Sequence, residues 1–306
     1  MNILIMAAGA VGGYFGSVLS TSNEVTFVAR GEHLRKIQEY GLSIKSVTRG
    51  NYVCLSKAYR EPPPEYQADL VLFCVKEYQN DEASEIIANS ISDDTTILTL
   101  QNGLGSGEFL SQKFGSEKVV LGAAYVEASK GDPGEIVEHG GGCRITFGKQ
   151  SDLQEDRIKE LSKMFEGSNI DFIVSENIYD DLWQKLVFIS ALSGMTCITK
   201  STFKEVMDNP LTRTITRDLV CETASVASKA VPDFSEDTAQ NTIDYLQTHK
   251  SDLVSSMHQD LLAGRPMEIN AINGAVSRKG KNLGIPTPIN DMIVSCLSLQ
   301  DARARK

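Results

Sequence analysis

The sequence predicts an α/β chain: an N-terminal Rossmann-like doubly wound sheet over residues 1–174, joined to an all-helical C-terminal domain over residues 175–306. Three observations carry this. An apolar strand runs into a glycine-rich turn and an apolar helix within the first sixteen residues. Strand-like and helix-like segments then alternate through the first half, as a parallel sheet covered by helices requires. Beyond Ser175 the pattern becomes almost purely helical.

The elements follow in order. Asn2 to Met6 reads as the first strand, a helix starts near Ala10, and Glu24 to Val28 is the second strand, giving a βαβ unit. Leu70 to Val75, Thr96 to Leu100 and Lys118 to Ala123 are short, leucine-rich or β-branched, and fit a sheet buried on both faces. Ile136 through Arg144 to Phe147 reads as additional strands closing the sheet antiparallel, with Gly140-Gly141-Gly142 as a turn. Asp152 to Gly167 has helical spacing, and Ile170 to Val174 is the last strand of this domain. Helices are then expected over 178–199, 211–230, 235–247, 253–263, 269–279 and 289–302.

Composition narrows the function. A hydrophobic fraction of 41% and a charged fraction of 23% are those of an ordinary folded protein, not a disordered one. The formal net charge of -10 disfavours nucleic acid and anionic membranes as partners, since both call for a basic face. The six cysteines (Cys54, Cys74, Cys143, Cys197, Cys221, Cys296) form no C-x-x-C pair and no cluster with histidine. They read as buried thiols of a reducing compartment, no metal site is expected, and cytoplasm is the default location.

The opening turn matches G-x-G-x-x-G at Ala7, Gly9 and Gly12, with alanine in place of the first glycine. Such a turn stops a buried strand, lets the backbone approach a pyrophosphate, and presents the free amides and positive end of the next helix to it. Arg30 directly follows the second strand, where NAD-preferring folds carry an acid for the ribose 2′-hydroxyl. Its guanidinium suits a 2′-phosphate, and with the strand-turn-helix upstream this points to NADPH ahead of the alternative, a surface arginine after a strand.

Lys76 ends a strand at the carboxyl edge where open α/β sheets bind ligands, and is either a second phosphate or adenosine contact or a solvated lysine. Asn102, in Gln101-Asn102-Gly103, offers a donor and an acceptor to a ribose or substrate, or simply forms an Asn-Gly turn. Lys185 lies on a helix with apolar neighbours and is the best candidate acid for a ketone reduction, where hydride addition builds negative charge on oxygen. By itself it reads rather as a lysine whose stem covers the helix while its head stays wet. Glu268 either steadies that ammonium or serves as a first-turn acid of the next helix. The four histidines lack ligand spacing and receive no catalytic role.

Taken together, Gly9-Ala10-Val11-Gly12-Gly13-Tyr14-Phe15-Gly16, Arg30-Gly31, Val75-Lys76, Gln101-Asn102-Gly103, Trp183-x-Lys185-Leu186, Ser255-Ser256-Met257-x-Gln259-Asp260 and Glu268-Ile269 resemble the ketopantoate reductase family (2-dehydropantoate 2-reductase) over nearly the whole chain. The resemblance implies NADPH-dependent reduction of ketopantoate to pantoate, a step toward pantothenate and coenzyme A. It implies Lys185 as proton donor, with Glu268 beside it. It further implies cofactor contacts from Ala7, Ala8, Gly9, Ala10, Val11, Gly12, Arg30, Lys76, Asn102, Ala128 and Glu268. Asn102, Lys185, Ser256 and the positions of Ile189 and Ser193 would line the substrate.

The family pattern has asparagine four and eight residues after the lysine; this chain has Ile189 and Ser193. Isoleucine donates no hydrogen bond, so a different, bulkier or less polar 2-oxo acid is an alternative substrate. A non-catalytic NADPH-binding sensor is a second alternative. The expected partner is thus a small 2-oxo acid, and an apolar helical domain makes a homodimer reasonable.

Overall fold

The computed structural model describes residues 1–249, 252 and 254–305, which divide into two compact units. The first comprises Met1–Gln101 and Ser106–Ile178; the second comprises Asn102–Gly105 and Tyr179–Lys306.

In the first unit the chain runs β1 (Asn2–Met6), α1 (Ala10–Leu19), β2 (Glu24–Val28), α2 (Gly31–Tyr40), β3 (Leu42–Ser46), β4 (Tyr52–Cys54), β5 (Lys57–Tyr59), β6 (Leu70–Phe73), α3 (Asn80–Ile87), β7 (Thr96–Thr99) and α4 (Ser106–Phe114). It continues through β8 (Val119–Tyr125), β9 (Ala128–Lys130), β10 (Glu135–Glu138), β11 (Arg144–Gly148), α5 (Glu155–Gly167) and β12 (Asp171–Val174). An eight-stranded sheet has the order β12-β11-β8-β7-β6-β1-β2-β5, parallel except where β11 runs antiparallel to β8. The expected doubly wound sheet is therefore present. Its central strands are buried end to end: β6 shows no exposed residue because helices cover both faces. Gly16 lets α1 lie close on this sheet, since a Cβ there would stand 2.6 Å from Phe27 and 2.8 Å from Ile5.

A second sheet, β4-β3-β10-β9, packs against α1. Here the sequence reading is corrected: β10, expected in the main sheet, pairs parallel with β3 in the small one. Residues 42–59 and 128–130 were not read as strands at all, because three- to five-residue segments of mixed polarity give too few periods to register. Buried Glu138 ties this sheet together, accepting from Ser46 Oγ (2.6 Å), Thr48 N (3.0 Å), Thr48 Oγ1 (2.8 Å) and the Gly140 amide. Burial pushes its pKa up, but these bonds outweigh it and hold the carboxyl at about 2.

The second unit is built from α6 (Ile178–Thr199), α7 (Phe203–Asp208), α8 (Pro210–Ala230), α9 (Thr238–Thr248), α10 (Ser256–Leu262), α11 (Asn273–Leu283) and α12 (Pro288–Ala304). Trp183, Leu186, Val187, Leu219, Val220, Met257 and Ile293 are among its core. Local chemistry fixes the ends. Thr202 and Glu205 form a capping box on α7, Asn209 accepts from Leu211 N and Thr212 N with Pro210 opening α8, and left-handed Gly284 closes α11.

Three helix starts differ from expectation by three residues or more, and the short α7 is not among the expected helices; α9 begins at Thr238 rather than at 235. Leu253, where one was placed, lies outside the described residues, and α10 begins at Ser256. The segment 269–272 is not helix but a buried turn, in which the Glu268 carbonyl accepts from Ala271 N and Ile272 N (both 3.1 Å). Its apolar residues fit either state. The cysteine reading also needs correction: all six are free thiols, but Cys221 and Cys296 are exposed on outward helix faces.

By length and composition α6 could cross a membrane, yet 61% of its most apolar stretch is buried in the protein, as in a core helix.

Candidate active site

The glycine turn is pinned from several sides. Ala8 N donates to Val28 O (2.9 Å), Gly9 N to Ala7 O (2.8 Å), and Gly13 N closes the first turn of α1 on Gly9 O (2.6 Å). His33, only 8% exposed, locks the other face. Its Nδ1 accepts from Gly134 N (2.9 Å), so Nε2 carries the proton and donates to Ala8 O (2.8 Å). Burial, and then the charge of Lys130, lowers its pKa and keeps the ring neutral.

Two glycines of the turn do different work. A Cβ on Gly12 would stand 2.2 Å from Ala7 O and 2.9 Å from Ile5 Cγ2, so this position is needed for helix and strand to meet. A Cβ on Gly9 would meet nothing within 4 Å. No side chain caps α1, whose N-terminal amides open beside that space. Gly9, Ala10, Val11 and the partly exposed Ala7 thus form a cradle of the kind a pyrophosphate occupies, and the residues fit a dinucleotide.

Arg30 sits at the N-cap of α2 with extended backbone, its side chain exposed. Its Nη1 donates to both carboxylate oxygens of Glu82, each at 2.8 Å. Lys76 and Asn102 follow β6 and β7, and the two loops are joined beneath them. Gln101 Nε2 donates to Val75 O (2.9 Å) and to Asn80 Oδ1 (2.7 Å), while Thr99 Oγ1 donates to Gln101 Oε1 (3.1 Å). Ala128 begins β9, the strand packed on α1.

Asn102 itself belongs with the second unit. Leu104 N donates to Ala271 O (3.1 Å), and Gly103, at φ +82°, approaches so closely that a Cβ would lie 2.0 Å from the same oxygen. The loop therefore docks on the turn that begins at Glu268. That turn is held in place by α12, where Asp301 Oδ1 accepts from Met267 N at 2.7 Å.

In the same unit Lys185 projects from α6, with Ile189 and Ser193 one and two turns further along that face. Burial pushes the Lys185 pKa down to about 8, against the attraction of Glu268, whose side chain is only 3% exposed. The first-turn reading of Glu268 thus fails, since α11 starts five residues later. Ser256 is exposed at the first position of α10, whereas Ser255 makes the cap, accepting from His258 N at 3.1 Å. Ile189 packs against the helical core and Ser193 is buried.

The family models for "Ketopantoate reductase PanE/ApbA" and "Ketopantoate reductase PanE/ApbA C terminal" match residues 3–152 and 177–301. The chain belongs to the ketopantoate reductase family. Its fold and its standing as an oxidoreductase acting on 2-oxo acids follow from that membership. It is 28% identical over 307 residues to the uncharacterized oxidoreductase YkpB of Bacillus subtilis, covering 99% of each chain. The solved 2-dehydropantoate 2-reductase of Geobacter metallireducens has a TM-score of 0.91 and 29% identity, covering 98% of this chain and 99% of that one. D-mandelate dehydrogenase, solved with NADH and anilino(oxo)acetate, has a TM-score of 0.91 and 27% identity, covering 100% and 99%.

Several residues of these loops escaped sequence reasoning. Gln101 stood inside a quoted motif and carried a usable signal. His33, Asn80 and Glu82 carried none, because each acts through a partner distant in sequence. His258, given no role, is 2% exposed with neither ring nitrogen hydrogen-bonded, and burial lowers its pKa so that it is neutral.

Proposed function

We propose that the protein is an NADPH-dependent 2-oxo acid reductase that converts ketopantoate (2-dehydropantoate) to pantoate, a step toward pantothenate. The observation that carries this is Lys185: a lysine brought to about 8 by burial, with Glu268 beside it, in a member of the ketopantoate reductase family. An ordinary lysine near 10.4 holds its proton too tightly for a general acid at neutral pH.

The roles follow from chemistry. Gly9 and the first amides of α1 receive the pyrophosphate, Arg30 the 2′-phosphate, and Lys76, Asn102 and Ala128 the remaining cofactor surface. When bound, the reduced nicotinamide supplies a hydride to the carbonyl carbon of the substrate. Lys185 Nζ gives its proton to the carbonyl oxygen as negative charge grows there, so that ketone, hydride and proton balance to an alcohol. Glu268 keeps the ammonium charged until it is used, and Asn102 and Ser256 hydrogen-bond the substrate. Lys185→Ala should lower kcat by about 10²- to 10⁴-fold while leaving NADPH affinity within about threefold. Full activity in that variant would refute the assignment.

A second reading has a specific observation behind it. Ile189 offers no donor where the family pattern has asparagine, and D-mandelate dehydrogenase is a structural neighbour that was solved with anilino(oxo)acetate. Under this reading the substrate is a bulkier, less polar 2-oxo acid. Ile189→Asn then discriminates: a rise in kcat/KM for ketopantoate of about fivefold or more, with a fall for aromatic 2-oxo acids, marks Ile189 as a specificity change.

A further inference from the structure

The Arg30–Glu82 pair is an odd arrangement for a phosphate-binding arginine. Glu82 lies in the first turn of α3, fifty-two residues from Arg30, and presents both carboxylate oxygens at 2.8 Å to the same Nη1. No other hydrogen bond of the guanidinium occurs among the described residues. Both side chains remain half exposed, at 50% and 57%, so neither is held by packing. A 2′-phosphate reaching Arg30 must either displace this carboxylate or share the guanidinium with it.

Two opposed effects decide the outcome. Glu82 orients Arg30, but an exposed ion pair of this kind is worth at most about fivefold in affinity. Against this stands repulsion: a phosphate of nearly two negative charges sharing one guanidinium with a carboxylate lies only about 5 Å from it, and this amounts to about tenfold even in a largely aqueous setting. Repulsion wins. A ligand ending in a ribose 2′-hydroxyl meets no such penalty, and the carboxylate can accept from that hydroxyl.

We propose that Glu82 is a specificity-determining residue that competes with the 2′-phosphate for Arg30 and so restrains the preference for NADPH over NADH. The inference rests on the reading that Arg30 meets the adenosine ribose. The position of Glu82 on α3, away from the strand end where an NAD-type acid stands, explains why it gives no sign of itself in a motif.

Calorimetric titration with adenosine 2′,5′-bisphosphate and with 5′-AMP isolates the effect, because these two probes differ only in the 2′-phosphate. Glu82→Gln keeps shape and exposure and should tighten the bisphosphate by about three- to tenfold, leaving 5′-AMP unchanged or slightly weaker. The gain should shrink in 0.5 M salt. An unchanged or reduced ratio of the two affinities in Glu82→Gln overturns the proposal. Arg30→Ala is the separate check on its foundation: if that variant loses no selectivity for the bisphosphate, the 2′-phosphate reading of Arg30 fails. If Arg30→Ala loses selectivity while Glu82→Gln leaves it unaltered, only the role of Glu82 fails. The same pair of variants should move the NADPH-to-NADH Kd ratio in the same directions.

Discussion

Replacing the two functional glycines of the opening turn by alanine should separate folding from cofactor binding. At Gly9 the backbone is at φ -82° and ψ -165°, open to any residue, and a Cβ meets nothing within 4 Å. Alanine gains ~0.4–1 kcal/mol by restricting the unfolded chain and loses a few tenths as a poorer N-cap. Stability should therefore change by less than about 0.5 kcal/mol. The added methyl nevertheless occupies the space assigned to the pyrophosphate, so NADPH affinity should fall at least about tenfold, or ~1.4 kcal/mol.

Gly12→Ala reverses the pattern of stability. Helix propensity favours alanine by ~1 kcal/mol, but a Cβ 2.2 Å from the Ala7 carbonyl is more than an ångström inside normal contact, and the obstacle is backbone. The overlap should win, for a net loss of ~1–3 kcal/mol and a fall of several degrees in Tm. Thermal melts of the unliganded variants and titration of NADPH fluorescence measure both quantities. A Gly9→Ala protein that binds NADPH within twofold of wild type would refute the cradle, and an unshifted Tm in Gly12→Ala would refute the packing argument.

Other expectations follow from the same geometry. Gly103→Ala meets both a positive φ and the Ala271 oxygen, so it should displace the Asn102 loop and lower kcat/KM by at least about tenfold, checked by steady-state kinetics. Lys185 must be protonated to act as an acid, so kcat for reduction should be flat below pH 8 and fall about tenfold per unit above it, with oxidation of the alcohol rising over the same range. A flat profile to pH 10 would count against Lys185. His33 is held neutral, with a folded pKa below its unfolded value of ~6.5, so the unfolded chain binds more protons and stability should decline as pH drops below about 6.5. His33→Ala, which leaves Ala8 O and Gly134 N without this partner, should cost ~1–3 kcal/mol and abolish that part of the pH dependence in urea unfolding.

The long, strongly patterned elements could be read directly. β1, α1 and β2 announce themselves by an apolar run, glycines and a second apolar run, and α6 and α8 by their length. The outer strands β4 and β9 of the small sheet and the edge strand β5 of the main one could not, because they have three residues each and take their conformation from partners rather than from their own pattern. The turn at 268–272 was mistaken for helix for a related reason: buried apolar residues look alike in either state, and only the bonds to Glu268 O decide. In the candidate site, Gly9, Gly12, Arg30 and Lys185 stand out in the sequence because each proposed chemistry demands its residue type. Glu82 and His33 do not, since their meaning lies wholly in contacts to Arg30 and Ala8.

The most direct test of the whole account follows the hydride. Protein is incubated with ketopantoate and NADPH carrying deuterium stereospecifically at nicotinamide carbon 4, and the product is examined by mass spectrometry. Wild type is predicted to yield pantoate with one deuterium at carbon 2 from one of the two cofactor epimers, and Lys185→Ala to yield it at least about a hundredfold more slowly. Oxidation of NADPH without label in the product, or no turnover of any 2-oxo acid by protein that binds NADPH, would contradict the account.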